Sequence, residues 1–121
     1  MDCIFCKIIN GDIPSFTLYE DDVVKVFLDV NPTVNGHTLI VPKKHYVDLF
    51  DIPNDVLMHI MDIARKMDAI FKEKLGSEGV TLVQNNGLLQ EVKHFHLHLR
   101  PHYSSKLELM NVEDVFNQIN D

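Results

Sequence analysis

Basic side chains are in short supply: eleven Lys and Arg stand against eighteen Asp and Glu, a formal charge of −7. A broad nucleic-acid-binding surface needs a basic face, so nucleic acid is not an expected partner. A local site for an anionic small molecule remains open. Long apolar runs are missing too. No stretch approaches the roughly 18 residues that cross a bilayer. The segment Met1-Asp2-Cys3-Ile4-Phe5-Cys6-Lys7 lacks the basic start and apolar middle of a secretory leader. A cytoplasmic protein with no membrane partner is the expectation. Cysteine is limited to Cys3 and Cys6. In a reducing compartment such a Cys-x-x-Cys pair reads as metal-binding or redox-active rather than as a structural disulfide.

No repeat, low-complexity segment or linker divides the chain, so residues 1–121 are read as one domain, with a motif-bearing core over about 3–103 and a tail at 104–121. Apolar residues make up 45%, enough for a core without disulfide staples. Ile4 to Ile9 is a short apolar segment closed by a turn at Asn10 to Pro14. Strands are expected at Thr17 to Glu20, Val23 to Asp29, His37 to Val41, Val80 to Gln84 and Lys93 to Pro101. From Val56, the residues Leu57, Ile60, Met61, Ala64, Met67, Ile70 and Phe71 recur at three- and four-residue steps, which predicts one long helix. Asp51 or Asn54 would cap its start and Gly76 its end. Its Met and Ile stripe reads as core. A short helix is expected at Val112 to Ile119. The expected class is α+β, a mainly antiparallel sheet of about five strands with one long helix and a short C-terminal one.

The segment His94-Phe95-His96-Leu97-His98-Leu99-Arg100-Pro101 carries the most information. Strand side chains alternate faces, so a strand here puts His94, His96 and His98 on one face, about 6–7 Å apart, and the apolar residues on the other. Three histidines in strict alternation are hard to ascribe to a polar surface. Two chemistries fit. Imidazoles at His-x-His spacing can hold zinc, with a bound water making a hydrolytic centre. Alternatively, one neutral imidazole is itself the nucleophile and its neighbours orient it or handle a phosphate.

Gln90 to Leu99, with its His-x-His-x-His, resembles the signature of the histidine triad family. Gly36-His37-Thr38-Leu39-Ile40-Val41-Pro42-Lys43-Lys44-His45 is similar to that family's strand before the long helix. Asp29, eight residues ahead of His37, matches an acidic family position. Cys3-Ile4-Phe5-Cys6-Lys7-Ile8-Ile9 resembles the start of many bacterial members.

This resemblance implies an enzyme that cleaves nucleoside phosphoramidates or related purine nucleotidyl conjugates at the α-phosphate, through a nucleotidyl-histidine intermediate. His96 would be the nucleophile, with its other ring nitrogen expected to donate to a backbone carbonyl. His98 and His37 would line the phosphate pocket, and Gln90 and Asn85 would lie near the phosphates and leaving group. Asp29 would accept from the ribose hydroxyls, unless it serves only as a turn cap. Asn85 has a plain turn role as its own alternative. Val30 and Phe5 would wall the base. In a subset of bacterial members, residues like Cys3, Cys6, His45 and His94 bind one structural zinc, and that role is expected here. A metal-free, reduced cysteine pair is the alternative; thiol redox activity is disfavoured because no thioredoxin-like βαβ pattern surrounds the pair.

The resemblance further implies a purine nucleotide such as AMP as ligand and a homodimer whose sheets join edge to edge, with Glu108 to Asp121 contributing. Other functions stay open: a dinucleoside polyphosphate hydrolase, weakly favoured by Gln90 and Lys93, and a nucleotide-binding regulatory module with little turnover. Two departures from the family pattern bear on the leaving group. Glu91 stands where many members carry a hydroxyl residue. The loop between Asn85-Asn86-Gly87 and Gln90 is reduced to Leu88 and Leu89.

Overall fold

The structure is a computed structural model that describes residues 3–121. Met1 and Asp2, part of the N-terminal segment read above for its lack of a leader, lie outside the described residues. The elements are α1 (Ile4–Ile9), β1 (Thr17–Glu20), β2 (Val24–Leu28), β3 (Thr38–Pro42), α2 (Asn54–Leu75), β4 (Gly79–Val83), β5 (Leu97–His102) and α3 (Val112–Ile119). A single 3-10 turn, Gly87–Leu89, lies between β4 and β5. The five strands form one sheet in the order β1-β2-β3-β5-β4, with every neighbouring pair antiparallel. The class is α+β, as the sequence pattern predicts. Among the described residues no helix is long and apolar enough to cross a membrane.

Alternation along the strands divides the sheet into two unequal faces. Val24 and Val26 of β2, Ile40 of β3, and Leu97 and Leu99 of β5 pack against Ile60, Ile63, Ala64, Met67 and Phe71 of α2. The opposite face carries Phe27, Leu39 and Val41, covered by Cys3, Phe5 and Ile8 from α1 and its start. All five residues of β3 are therefore buried, because helices cover both of its sides. Leu28 packs on Val115 and Ile119, so α3 closes the end of the sheet beside α2.

Helix α1 is the element that the sequence pattern leaves as an unassigned apolar segment. Six residues are too few for a helical period to stand out. Phe5 and Ile8 nonetheless turn to one side and are buried, while the Cys6 amide donates to Cys3 Sγ at 3.3 Å and caps the start. Helix α2 begins two residues ahead of Val56, with Pro53 rather than Asp51 or Asn54 at its N-cap and no side-chain cap. Asp51 is engaged elsewhere: its carboxylate accepts from the amides of Val47 and Asp48 at 3.0 and 2.9 Å, tying the preceding loop. Gly76 ends α2 in the left-handed region, as expected.

The expected strand at Lys93 to Pro101 is shorter at its start, since β5 begins at Leu97. The Phe95 amide donates to Tyr46 O at 2.7 Å, so the chain at 94–96 bends toward the loop after β3 instead of continuing the ladder. His94 to Leu97 are all buried, but the side each enters still alternates: Phe95, Leu97 and Leu99 enter the core under α2, while His96 and His98 line a cleft.

Gly36 sets up the approach to His37. Its φ is +87°, and a Cβ there would stand 2.7 Å from Leu75 Cδ1 and 3.1 Å from Pro101 Cγ. Both the backbone conformation and the space call for glycine. Gly36→Ala is expected to lower folding stability by about 2 kcal/mol, read as a lower midpoint in urea denaturation. An unchanged midpoint would contradict this account of the turn.

Candidate functional site

Beside α1, the helix-poor face of the sheet holds a cleft of about 530 Å³, a size suited to a small-molecule ligand. One end is apolar, with Phe5 and Ile8 of α1 facing Phe27 and Leu39 of the sheet. His37, His96 and His98 also line the cleft, together with Asp29 and Arg100. Asn85, Leu89 and Glu91 complete the polar and loop part of the lining. The cleft therefore gathers His37, His96, His98, Asp29, Asn85, Val30 and Phe5 from seven separate positions in the chain.

Gln90 is not among them. It is buried at 3% exposure, and its side-chain amide donates to the Val47 carbonyl. Its Oε1 has no hydrogen-bond partner. Lys93 also turns away, donating from Nζ to Gly87 O at 2.7 Å. Neither residue which weakly favoured a polyphosphate substrate therefore lines the cleft. Glu91, the departure from the family pattern, does line it.

Hydrogen bonds to the main chain set the proton positions of the histidines. His96 Nδ1 lies 2.8 Å from His94 O, and a carbonyl only accepts, so Nδ1 carries the proton. For a neutral ring this leaves Nε2 as a free lone pair. The Thr33 amide donates to His37 Nδ1 at 3.2 Å, so that nitrogen is an acceptor and the proton of neutral His37 sits on Nε2. His37 Nε2 in turn donates to His98 Nδ1 at 2.9 Å. His98 must then carry its proton on Nε2. The relay starts at one backbone amide and ends at the Nε2–H of His98, whose ring centroid is 4.9 Å from that of His96. Phe5 packs edge-on to the His96 ring, with centroids 4.9 Å apart.

Burial keeps these rings neutral. Desolvation lowers the His96 pKa below its ordinary value, opposed by its bond to the His94 carbonyl and by the charges of Asp29 and Glu91. His37 is lowered by desolvation, against the pull of Asp29, whose Oδ2 lies 3.6 Å from His37 Nε2. His98 falls to about 4, through desolvation first and then the neighbouring charges of His96, His37 and Arg100. Asp29 has both anticipated features of position: Oδ1 accepts from the Asn31 amide at 2.8 Å as a turn cap, and the residue lines the cleft.

A second cluster lies behind α1. Cys3, Cys6, His45 and His94 bring one ligand atom each to within 4.8 Å of all the others, and together they could hold a metal ion. Cys6 Sγ is 3.2 Å from His45 Nδ1 and 3.5 Å from His94 Nδ1, and Cys3 Sγ is 3.4 Å from His94 Nδ1. His94 Nε2 donates to Pro42 O at 2.8 Å, which leaves Nδ1 as the lone pair aimed into the cluster.

A family model described as the HIT domain matches residues 10–105. The chain belongs to the HIT family. An uncharacterised HIT-like protein of Methanocaldococcus jannaschii is 46% identical over 117 residues, covering 95% of this chain and 90% of the relative. The adenosine 5′-monophosphoramidase of Saccharomyces cerevisiae is 44% identical over 110 residues, covering 89% of this chain and 67% of the yeast protein. The crystal structure of a Zn-bound histidine triad family protein from Mycobacterium smegmatis superposes with a TM-score of 0.90 at 31% identity, covering 98% of this chain and 91% of that one.

For this HIT-family chain, sequence reasoning missed Arg100 as a cleft residue, although the signal was present: it follows His98 by two residues on the same strand face. Thr33 was missed for a different reason, since it acts through a backbone amide that every residue type carries.

The depressed His98 pKa makes a pH prediction. Between about pH 6.5 and 4 the unfolded chain takes up a proton at this residue that the folded state refuses. Stability that His98 contributes above pH 6.5 is therefore lost as the pH falls through that window. By pH 5 the loss attributable to it is on the order of 2 kcal/mol. Urea denaturation at pH 7.5 and pH 5 should show a smaller acid loss in His98→Gln than in wild type. Identical losses would contradict the assignment.

Proposed function

We propose that this HIT-family hydrolase acts in the cytoplasm on nucleoside phosphoramidates and related purine nucleotidyl conjugates, releasing a nucleotide such as AMP. The observation that carries the reading is the 2.8 Å bond from His96 Nδ1 to the His94 carbonyl, which leaves Nε2 free as a nucleophile inside the cleft. The base lies among Phe5, Val30 and the apolar end of the cleft. Asp29 accepts from the ribose hydroxyls. His96 Nε2 attacks the α-phosphorus; the bond from phosphorus to the leaving nitrogen breaks as the new P–N bond forms, and the leaving amine takes up a proton. Water then displaces the nucleotidyl group and restores neutral His96. Positioning and charge neutralisation dominate such a transfer. His98 supplies a fixed N–H donor toward the phosphoryl oxygens, held in that tautomer by His37. Asn85 serves the leaving-group side. The similarity to the yeast adenosine 5′-monophosphoramidase supports the substrate class.

The same reading makes Cys3, Cys6, His45 and His94 the ligands of one zinc ion. Bonds of about 2.3 Å to sulfur and about 2.0 Å to nitrogen put tetrahedral S and N ligands about 3.5 Å apart. The observed Sγ to Nδ1 separations of 3.2, 3.4 and 3.5 Å fit that donor set. With four protein ligands the ion would be structural, cross-linking α1 to the segment ahead of β5. A homodimer joined along sheet edges also belongs to this proposal; β4 is an edge strand, and its Leu82 is 40% exposed.

Two experiments test these assignments. Wild type is expected to release AMP from adenosine 5′-phosphoramidate, and His96→Ala to lower kcat by about a thousandfold or more. Equal rates in the two proteins would overturn His96 as nucleophile. Metal analysis should find one zinc per chain in wild type and none in Cys3→Ser/Cys6→Ser, with a lower Tm and residual hydrolysis in the variant. Unchanged zinc content would refute the ligand set.

A further inference from the structure

Arg100 brings to the cleft a buried donor that the protein itself leaves unanswered. Its Nε is buried and has no hydrogen-bond partner. Among the described residues, neither Asp29 nor Glu91 pairs with it, although all three line the same cleft. A guanidinium nitrogen buried without a partner costs stability, although the residue as a whole is only partly buried. Local rules of this kind are broken mainly where a ligand completes the arrangement.

Its position can be located from its neighbours. Thr38 pairs with Leu99 across β3 and β5, so Arg100 stands beside the start of β3, next to His37. It lies four residues, about 13 Å of chain, beyond His96. Its charge bears on His37 and His98, while the charges that bear on His96 come from Asp29 and Glu91. Arg100 is thus on the far side of His98 from the reacting nitrogen. It is also the only Lys or Arg among the lining residues, facing two carboxylates. A phosphoramidate brings a single phosphoryl group, which the His96 and His98 end already accommodates. Guanidinium groups match phosphoryl oxygens with paired, charge-assisted donors.

We infer that Arg100 forms a subsite for a second phosphoryl group on the bound nucleotide, separate from the α-phosphate that His96 attacks. This rests on the nucleotide reading of the cleft. The second group is either a β-phosphate on the leaving side or a phosphate on the ribose 2′ or 3′ oxygen. Both present the same dianionic oxygens to the guanidinium.

Titration calorimetry of the full chain with AMP, ADP, and adenosine 2′,5′- and 3′,5′-bisphosphate tests the inference. Wild type is expected to bind at least one of the doubly phosphorylated nucleotides about tenfold more tightly than AMP. A preference for ADP places the second group on the leaving side, and a preference for a bisphosphate places it on the ribose. Arg100→Gln should abolish that preference, leave AMP affinity within about twofold and keep or raise the Tm of the free protein, since a buried donor without a partner is removed. Arg100→Lys should retain part of the preference, and it decides the matter if the Gln variant fails to fold. The inference is overturned if wild type shows no preference, if the preference survives in Arg100→Gln, or if AMP weakens in parallel. Absence of AMP binding to wild type would instead overturn the nucleotide reading on which the subsite depends.

Discussion

His96 Nδ1 donates its proton to the carbonyl of His94 across an N···O distance of 2.8 Å, and the proposed chemistry of the cleft depends on that bond. An imidazole has two nearly equivalent tautomers in water, only one of which leaves the lone pair on Nε2. Here the choice is made by main-chain geometry. The same device recurs twice. Pro42 O takes the Nε2 proton of His94, and the Thr33 amide settles His37, which settles His98. Backbone groups at three points thus decide which nitrogen of each ring is a donor. Desolvation then keeps His37, His96 and His98 neutral by lowering their pKa values.

This arrangement explains why the chain leaves the β ladder at 94–96. A strand continued through His94 would carry its carbonyl to a neighbouring strand's amide. The bend instead gives the Phe95 amide to Tyr46 O and returns the His94 carbonyl to the His96 ring. It also buries His94 next to Cys3 and Cys6, at the root of α1. Phe5, between the two cysteines, touches both His94 and His96 rings edge-on. The cluster that could hold a metal ion and the proposed nucleophile, His96, are therefore two sides of one packed unit, with α1 as the part they share.

Much of this was legible in the sequence, and for identifiable reasons. The 3.6-residue period of α2 and the alternation through Leu97 and Leu99 are long-range regularities, and both elements form, although β5 starts at Leu97 rather than Lys93. Of the three alternating histidines, His96 and His98 share the cleft, with ring centroids 4.9 Å apart rather than about 6–7 Å, while His94 turns to the cysteines because the chain bends there. Short-range features were harder. Helix α1 is stabilised by packing of Phe5 and Ile8 rather than by any period in its six residues. Gln90 is drawn to the Val47 carbonyl, a partner 43 residues away that no local pattern reveals. Asp51 caps a loop instead of α2 because the amides of Val47 and Asp48 reach it first. The tautomers were only half visible: the need for a carbonyl at His96 follows from chemistry, but Thr33 acts through its main chain.

Long-range proton–nitrogen NMR on the histidine rings at neutral pH reads the tautomers directly. The account predicts that His96 carries its proton on Nδ1 while His37 and His98 carry theirs on Nε2. A spectrum placing the His96 proton on Nε2 would contradict it, because the lone pair would then face the main chain rather than the substrate.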